Sequence, residues 1–228
     1  MSPSRHLSDF LNYLASTNDA TAGTEIDSLP PINEISKELG ISVASVREQL
    51  EVAKALGLVD VRPRTGIRRL TYSFSPAVQQ SLSYAIALDR ASFDTYSDLR
   101  NQIETAYWYK AVRLVTPEDL AQLQSLIERA WRKLRGTPIQ IPHSEHRKLH
   151  LLIYSRLNNV FVLGILEAYW DAYEAVGLNV YADYDYLQEV WTYHQSMVDA
   201  IQTGDYELGY KALTEHIDLL YNRPPLSS

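Results

Sequence analysis

Two short stretches of helical periodicity, joined by the tight sequence Gly40-Ile41-Ser42 and followed at once by a change of period, constrain this chain more than any other feature. Leu7, Phe10, Leu11 and Leu14 recur at helical spacing and predict a short amphipathic first helix, and the polar stretch from Ser16 to Ser28 reads as a loop. Pro30 and Pro31 open a second helix with Ile35 and Leu39 facing inward, and Gly40 ends it as a C-terminal glycine does. Ser42 stands at an N-cap position before a third helix, whose buried stripe is Val46, Leu50 and Ala53 and which stops near Gly57. From Leu58 the period changes. Leu58 to Arg62 and Ile67 to Leu70 read as short strands on either side of the turn Pro63-Arg64-Thr65-Gly66. Helix, helix, short turn, helix, hairpin is the order of a winged helix-turn-helix.

Beyond Ser75-Pro76 the chain reads as helical throughout. Thr116-Pro117-Glu118-Asp119 is a helix start, with an N-cap threonine, proline at the first helical position and acids at the positive end of the dipole. Breaks near Gly136-Thr137-Pro138, Asn158-Asn159, Gly177 to Asp183 and Gly204-Asp205 give six or seven helices. The expectation is a mainly α protein in two domains: a winged helix-turn-helix with a small β-hairpin wing over residues 1–75, and an all-α bundle over residues 76–228. A length of 228 residues lets each domain bury its own core.

No run of about 18 apolar residues is available to span a bilayer, and no charged-then-apolar leader opens the sequence, so a cytoplasmic protein without a membrane partner is expected. Cysteine is absent, which excludes disulfides, thiolate ligands and cysteine nucleophiles, and leaves nitrogen and oxygen to hold any metal. The formal net charge of −7 weighs against nucleic acid as a partner. The charge is unevenly placed, however. Between Ile41 and Tyr72 stand Arg47, Lys54, Arg62, Arg64, Arg68 and Arg69, against only Glu48, Glu51 and Asp60. A locally positive face on an acidic body still attracts phosphate.

Four of the six histidines form a pattern. His146 and His150 are four apart, so both imidazoles project from one helix face. His194 lies among Leu187, Val190 and Val198, and His216 among Leu213, Leu219 and Leu220. Facing helices of a bundle build ligand sites from such residues; satisfied core or surface histidines are the alternative. A helical metalloenzyme is the rival from another class, but the zinc-protease pattern places glutamate directly after its first histidine, and that position is Arg147. With no glycine-rich phosphate loop and no Ser/His/Asp set, a non-enzyme is expected. Most of the sixteen tyrosines are assigned to core or interface packing.

The segment from Leu29 to Leu50, with Gly57-Leu58-Val59 and Arg64-Thr65-Gly66, closely resembles the GntR regulator family. The last 150 or so residues resemble the FCD ligand-binding domain of FadR-type members, with landmarks at Leu99-Arg100, Glu104, Thr116 to Leu120, Leu149-His150, Asn159, Tyr193-His194 and Glu215-His216. The resemblance implies a homodimer that binds double-stranded operator DNA, under the control of a small-molecule effector expected to be a carboxylate. Residues implied to face DNA are Ser42, Ser45 and Arg47 after the turn, Arg64, Thr65 and Gly66 in the wing, and Asn33, which replaces a commonly basic contact. Val43 stands where the family commonly has arginine. Many members hold a metal with one aspartate and three histidines; the histidines match His150, His194 and His216, and His146 occupies the aspartate position. An all-imidazole set favours Zn²⁺, Ni²⁺ or Cu²⁺ over Mn²⁺ or Mg²⁺, with zinc the first expectation. Arg100 is the implied second anchor for the effector, and a salt bridge to Glu104 is the equal alternative. A regulator for which the metal itself is the signal fits the same residues.

Overall fold

The turn between the second and third helices rests on two residues that the sequence singles out. In the computed structural model, which describes residues 6–17, 28–63, 66–176 and 184–221, α1 covers Asp9–Ser16, α2 Ile32–Leu39 and α3 Val43–Ala55. Gly40 takes φ +68° and its N–H bonds back to the Ser36 carbonyl, a left-handed cap that glycine adopts without a Cβ penalty. Two residues on, the Ser42 hydroxyl accepts from the Ser45 N–H at 3.1 Å and caps α3. Pro31 serves as the N-cap of α2 rather than lying inside it. Strands β1 (Val59–Arg62) and β2 (Gly66–Arg69) then pair antiparallel, with Val61 opposite Ile67. Phe10, Leu14, Ile35, Val46, Leu50, Val59 and Ile67 enclose one core, so the third helix and the wing are held by the same buried side chains. Arg64 and Thr65 lie outside the described residues.

Seven further helices follow among the described residues: α4 (Ser75–Leu88), α5 (Ser92–Val112), α6 (Pro117–Leu134), α7 (His143–Tyr154), α8 (Val160–Ala175), α9 (Tyr184–Thr203) and α10 (Tyr206–Tyr221). The break expected over Gly177 to Asp183 lies outside the described residues. The chain divides into two compact units, Met1–Ser81 and Leu82–Ser228.

In the second unit, Thr116 and Asp119 complete a reciprocal capping box at the start of α6. Arg156 donates to both Asp119 oxygens, at 2.8 and 3.0 Å. The bundle core includes Trp108, Leu123, Leu149, Leu166, Trp191 and Leu213. Gly209 is a close-approach position: a Cβ there would stand 2.6 Å from Cζ2 of Trp108. α9 packs on α6 and α10, and α5 packs on α7, α8 and α10, so α5, α7, α9 and α10 all reach one interior region. No helix of the described residues is long and apolar enough to cross a membrane.

Candidate functional site

Helical spacing carries His146 and His150 to one face of α7, and the packing of α9 and α10 brings His194 and His216 against them. Each histidine offers one ring nitrogen such that the four lie within 4.8 Å of one another. The rings are in close contact, with centroids 4.5 Å apart for His194 and His216 and 4.6 Å for His146 and His194. His150, His194 and His216 are fully buried. His146 is only half-buried as a residue, yet its Nε2 has no solvent contact.

Burial penalises the imidazolium form and, with repulsion from Arg100 on all four and from neighbouring histidines on His146, His194 and His216, holds all four histidines well below the ordinary imidazole value. All four are therefore neutral and present lone pairs, as metal ligation requires. Several of their ring nitrogens make no hydrogen bond. Nε2 of His146, Nδ1 of His194 and both ring nitrogens of His216 are buried without a partner. Groups of this kind cost about 1–3 kcal/mol each when left unmet. Four convergent neutral nitrogens, several of them unmet, fit a borderline-soft divalent cation. In a tetrahedral site with Zn–N bonds of about 2.0–2.1 Å, neighbouring ligand nitrogens would be about 3.3 Å apart. Nε2 of His150 and Nε2 of His194 are already 3.0 Å apart.

α5 supplies the surroundings. Arg100 is 1% exposed and pairs through Nη2 with Glu104 at 2.9 Å, while Nη1 donates to Asn101 at 3.0 Å. The faces of Tyr169 and Trp170 on α8 flank its guanidinium at 4.8 and 5.5 Å. Glu104 is wholly buried; desolvation pushes its carboxyl up to about 6, against the opposing pull of Arg100. Its Oε2 lies 3.1 Å from Nδ1 of His150. Helical spacing pairs Glu104 with Arg100 but signals neither this contact nor that of Trp170, whose ring packs edge-on against His146 at 4.6 Å. A groove of about 650 Å³ lies on the other face of α7, lined by Lys148, Leu151 and Leu152 with residues of α6 and α8. None of the four histidines lines it.

In the first unit, Asn33 and Arg47 are exposed, and neither has a polar partner among the described residues. The neighbouring cations are spoken for: Lys54 pairs with Glu51 at 2.8 Å and Arg62 with Asp60 at 2.6 Å. The Ser45 hydroxyl accepts from Gln49 at 3.2 Å, and Ser42 is occupied as the cap. Gly66 opens β2 at φ +76°, and a Cβ there would meet none of the described residues outside its chain neighbours within 4 Å.

A helix-turn-helix with a hairpin wing, followed by a helical bundle with a buried histidine cluster, defines a DNA-binding regulator that responds to a ligand. Residues 96–219 match the FCD domain family, and the chain belongs to the GntR family of transcription regulators that carry this domain, a family of regulators rather than enzymes. It is 24% identical over 226 residues to the putative L-lactate dehydrogenase operon regulatory protein of Escherichia coli, covering 96% of this chain and 84% of that one. Identity to the Uxu operon transcriptional regulator of E. coli is 24% over 200 residues, or 86% and 77% of the two chains. Among solved structures, Streptococcus agalactiae GntR superposes with a TM-score of 0.68 at 16% identity, over 93% of this chain and 95% of that one, a likeness of fold.

Proposed function

We propose that the chain acts in the cytoplasm as a homodimeric operator-binding regulator whose DNA affinity is set by a small carboxylate received at a zinc centre of His146, His150, His194 and His216. The convergence of four neutral imidazoles with unmet nitrogens carries this reading. The ion, when bound, supplies a Lewis acid for a carboxylate oxygen. Arg100 offers a cation beside the cluster. The relative named for an L-lactate dehydrogenase operon is consistent with a small carboxylate effector.

On the DNA side, Arg47 is the specificity residue, since it is exposed, with no ion-pair partner among the described residues, near the start of α3, the element that enters the major groove in this fold. Asn33, Ser42, Ser45 and the wing residues Arg64, Thr65 and Gly66 complete the contact surface. Two copies are required because paired half-sites multiply modest contacts. Effector binding changes operator affinity only as far as the effector prefers one arrangement of the dimer over the other.

A second reading, in which the metal itself is the signal, is favoured by one observation: the rings pack closely, and four imidazoles fill a tetrahedral site. Elemental analysis of purified protein and of His150→Ala tests the centre. Stoichiometric zinc in the first and its loss in the second is the expected result; protein that carries and binds no metal overturns it. Gel shifts on selected and random DNA at two salt concentrations test the regulator, and equal affinity for both DNAs would sink it.

A further inference from the structure

Three histidines, not two, run down one face of α7. His143, His146 and His150 stand at i, i+3 and i+7, positions that a helix stacks one above the next, with neighbouring Cβ atoms about 5–6 Å apart. The row leads inward. His143, the first residue of α7, is half-buried; the ring of His146 is buried in a residue that still reaches the surface; and His150 is 0% exposed. His143 is not among the four whose ring nitrogens converge.

The cluster is enclosed on its other sides. His194 and His216 have no exposure, and Trp191 packs against His194 at 4.9 Å and against His146 at 6.1 Å. Trp170, also buried, covers the edge of His146. The groove on the far face of α7 reaches none of the histidines. Toward His143 the arrangement differs. The half-buried ring of Tyr173 on α8 lies 6.3 Å from the His143 ring and 6.5 Å from the His146 ring, so it stands beside both the outer and the inner imidazole. Arg147, one turn along from His143, is held by Asp171 and, at 3.8 Å, by Glu174. Two carboxylates to one guanidinium leave this rim acidic, which draws cations toward it.

We propose that His143 and His146 form an outer, transient site for a divalent cation, from which the ion is passed beyond Tyr173 into the buried cluster. The proposal rests on the metal-centre reading above. Taking an ion out of water is expensive unless protein groups replace the lost water as it leaves. Imidazoles at two depths on one helix face do this in stages. His146 belongs to both sets, so transfer exchanges His143 and the remaining waters for His150, His194 and His216, and protein nitrogen is held throughout. His143 lies outside the final set. It therefore lowers the barrier to entry and to exit by the same amount and leaves the difference between free and bound states unchanged.

Stopped-flow mixing of full-length, metal-free protein with zinc tests this, with uptake read from the fluorescence of the tryptophans that flank His146 and release read with excess chelating dye. His143→Ala is expected to slow uptake and release alike, each by about tenfold, with the dissociation constant within about twofold of wild type. His143→Asp, which keeps a ligand at the mouth, is expected to restore both rates, and His143→Phe, which keeps only a ring, is not. Uptake by His143→Ala at the wild-type rate would overturn the proposal, as would full rates in His143→Phe, since packing alone would then account for the residue. A loss of affinity in His143→Ala as large as that in His150→Ala would also overturn it, by making His143 a ligand of the final site. Each of these leaves the metal centre standing, whereas wild-type protein that binds no zinc overturns the metal-centre reading itself. The Asp and Phe variants decide the matter if the alanine variant does not fold.

Discussion

His216→Leu separates what the cluster costs the fold from what a metal returns to it. His216 is wholly buried, and neither ring nitrogen has a hydrogen-bond partner. At about 1–3 kcal/mol for each unmet group, the metal-free protein carries a local penalty that leucine does not. Leucine has a comparable bulk, and its imperfect fit costs less than about 1.5 kcal/mol. Zinc-free His216→Leu is therefore expected to be at least as stable as zinc-free wild type. With free zinc at a hundred times the dissociation constant, the wild type gains about 2.7 kcal/mol. A unit of this size shifts by about 2–4 °C per kcal/mol, so its melting temperature rises about 5–11 °C. If loss of one ligand weakens binding a hundredfold, the same zinc stabilises the variant by only about 0.4 kcal/mol. Calorimetric melts of both proteins, in chelator and in zinc, read all four values. A zinc-free variant several degrees below wild type would show that the His216 nitrogens are satisfied, and a variant that responds to zinc like wild type would show that His216 is no ligand.

His146→Asp restores an anionic ligand and is expected to raise Mn²⁺ affinity relative to Zn²⁺, measured by competition between the two ions. Arg47→Ala is expected to weaken binding to a selected operator by about 1–3 kcal/mol, with little change on random DNA, read by fluorescence anisotropy. Asp119 predicts a pH dependence. Hydrogen bonds from Arg156 hold its carboxyl down at about 2, below the unfolded value of about 3.9. A folded-state value below the unfolded one means a stabilisation that is present above about pH 4 and lost as the pH falls toward about 2. Asp119→Asn should lower stability at neutral pH and remove that share of the acid dependence in denaturant titrations. Gly57→Ala meets two obstacles, a φ of +68° and a Cβ position 2.5 Å from Cγ of Pro76. It should lower the melting temperature of the first unit.

Much of the fold is local chemistry and was readable from the sequence. Gly40 and Ser42 mark the turn because a left-handed C-cap and a hydroxyl N-cap each demand particular residue types, and Thr116 with Asp119 marks α6 for the same kind of reason. His146 and His150 share a face by helical spacing alone. Their meeting with His194 and His216 depends on how α9 and α10 pack, which spacing does not specify; the resemblance supplied it. The contact between Glu104 and His150 spans 46 positions and two helices, and no periodicity signals it. Arg100 illustrates the limit differently. An effector anchor and a salt bridge to Glu104 were equal readings of the sequence, and the structure shows the salt bridge with Nε left over. The break at Ser75-Pro76 is the start of α4, a helix that continues to Leu88 beyond the end of the first compact unit at Ser81.

The most direct test of the account is operator affinity, measured with zinc-loaded and zinc-free protein against a panel of small carboxylates on a DNA site obtained by selection. At least one carboxylate is expected to change affinity fivefold or more, about 1 kcal/mol of coupling, and to do so only when zinc is bound. An equal response with and without zinc, or no response to any carboxylate or to zinc, would contradict it.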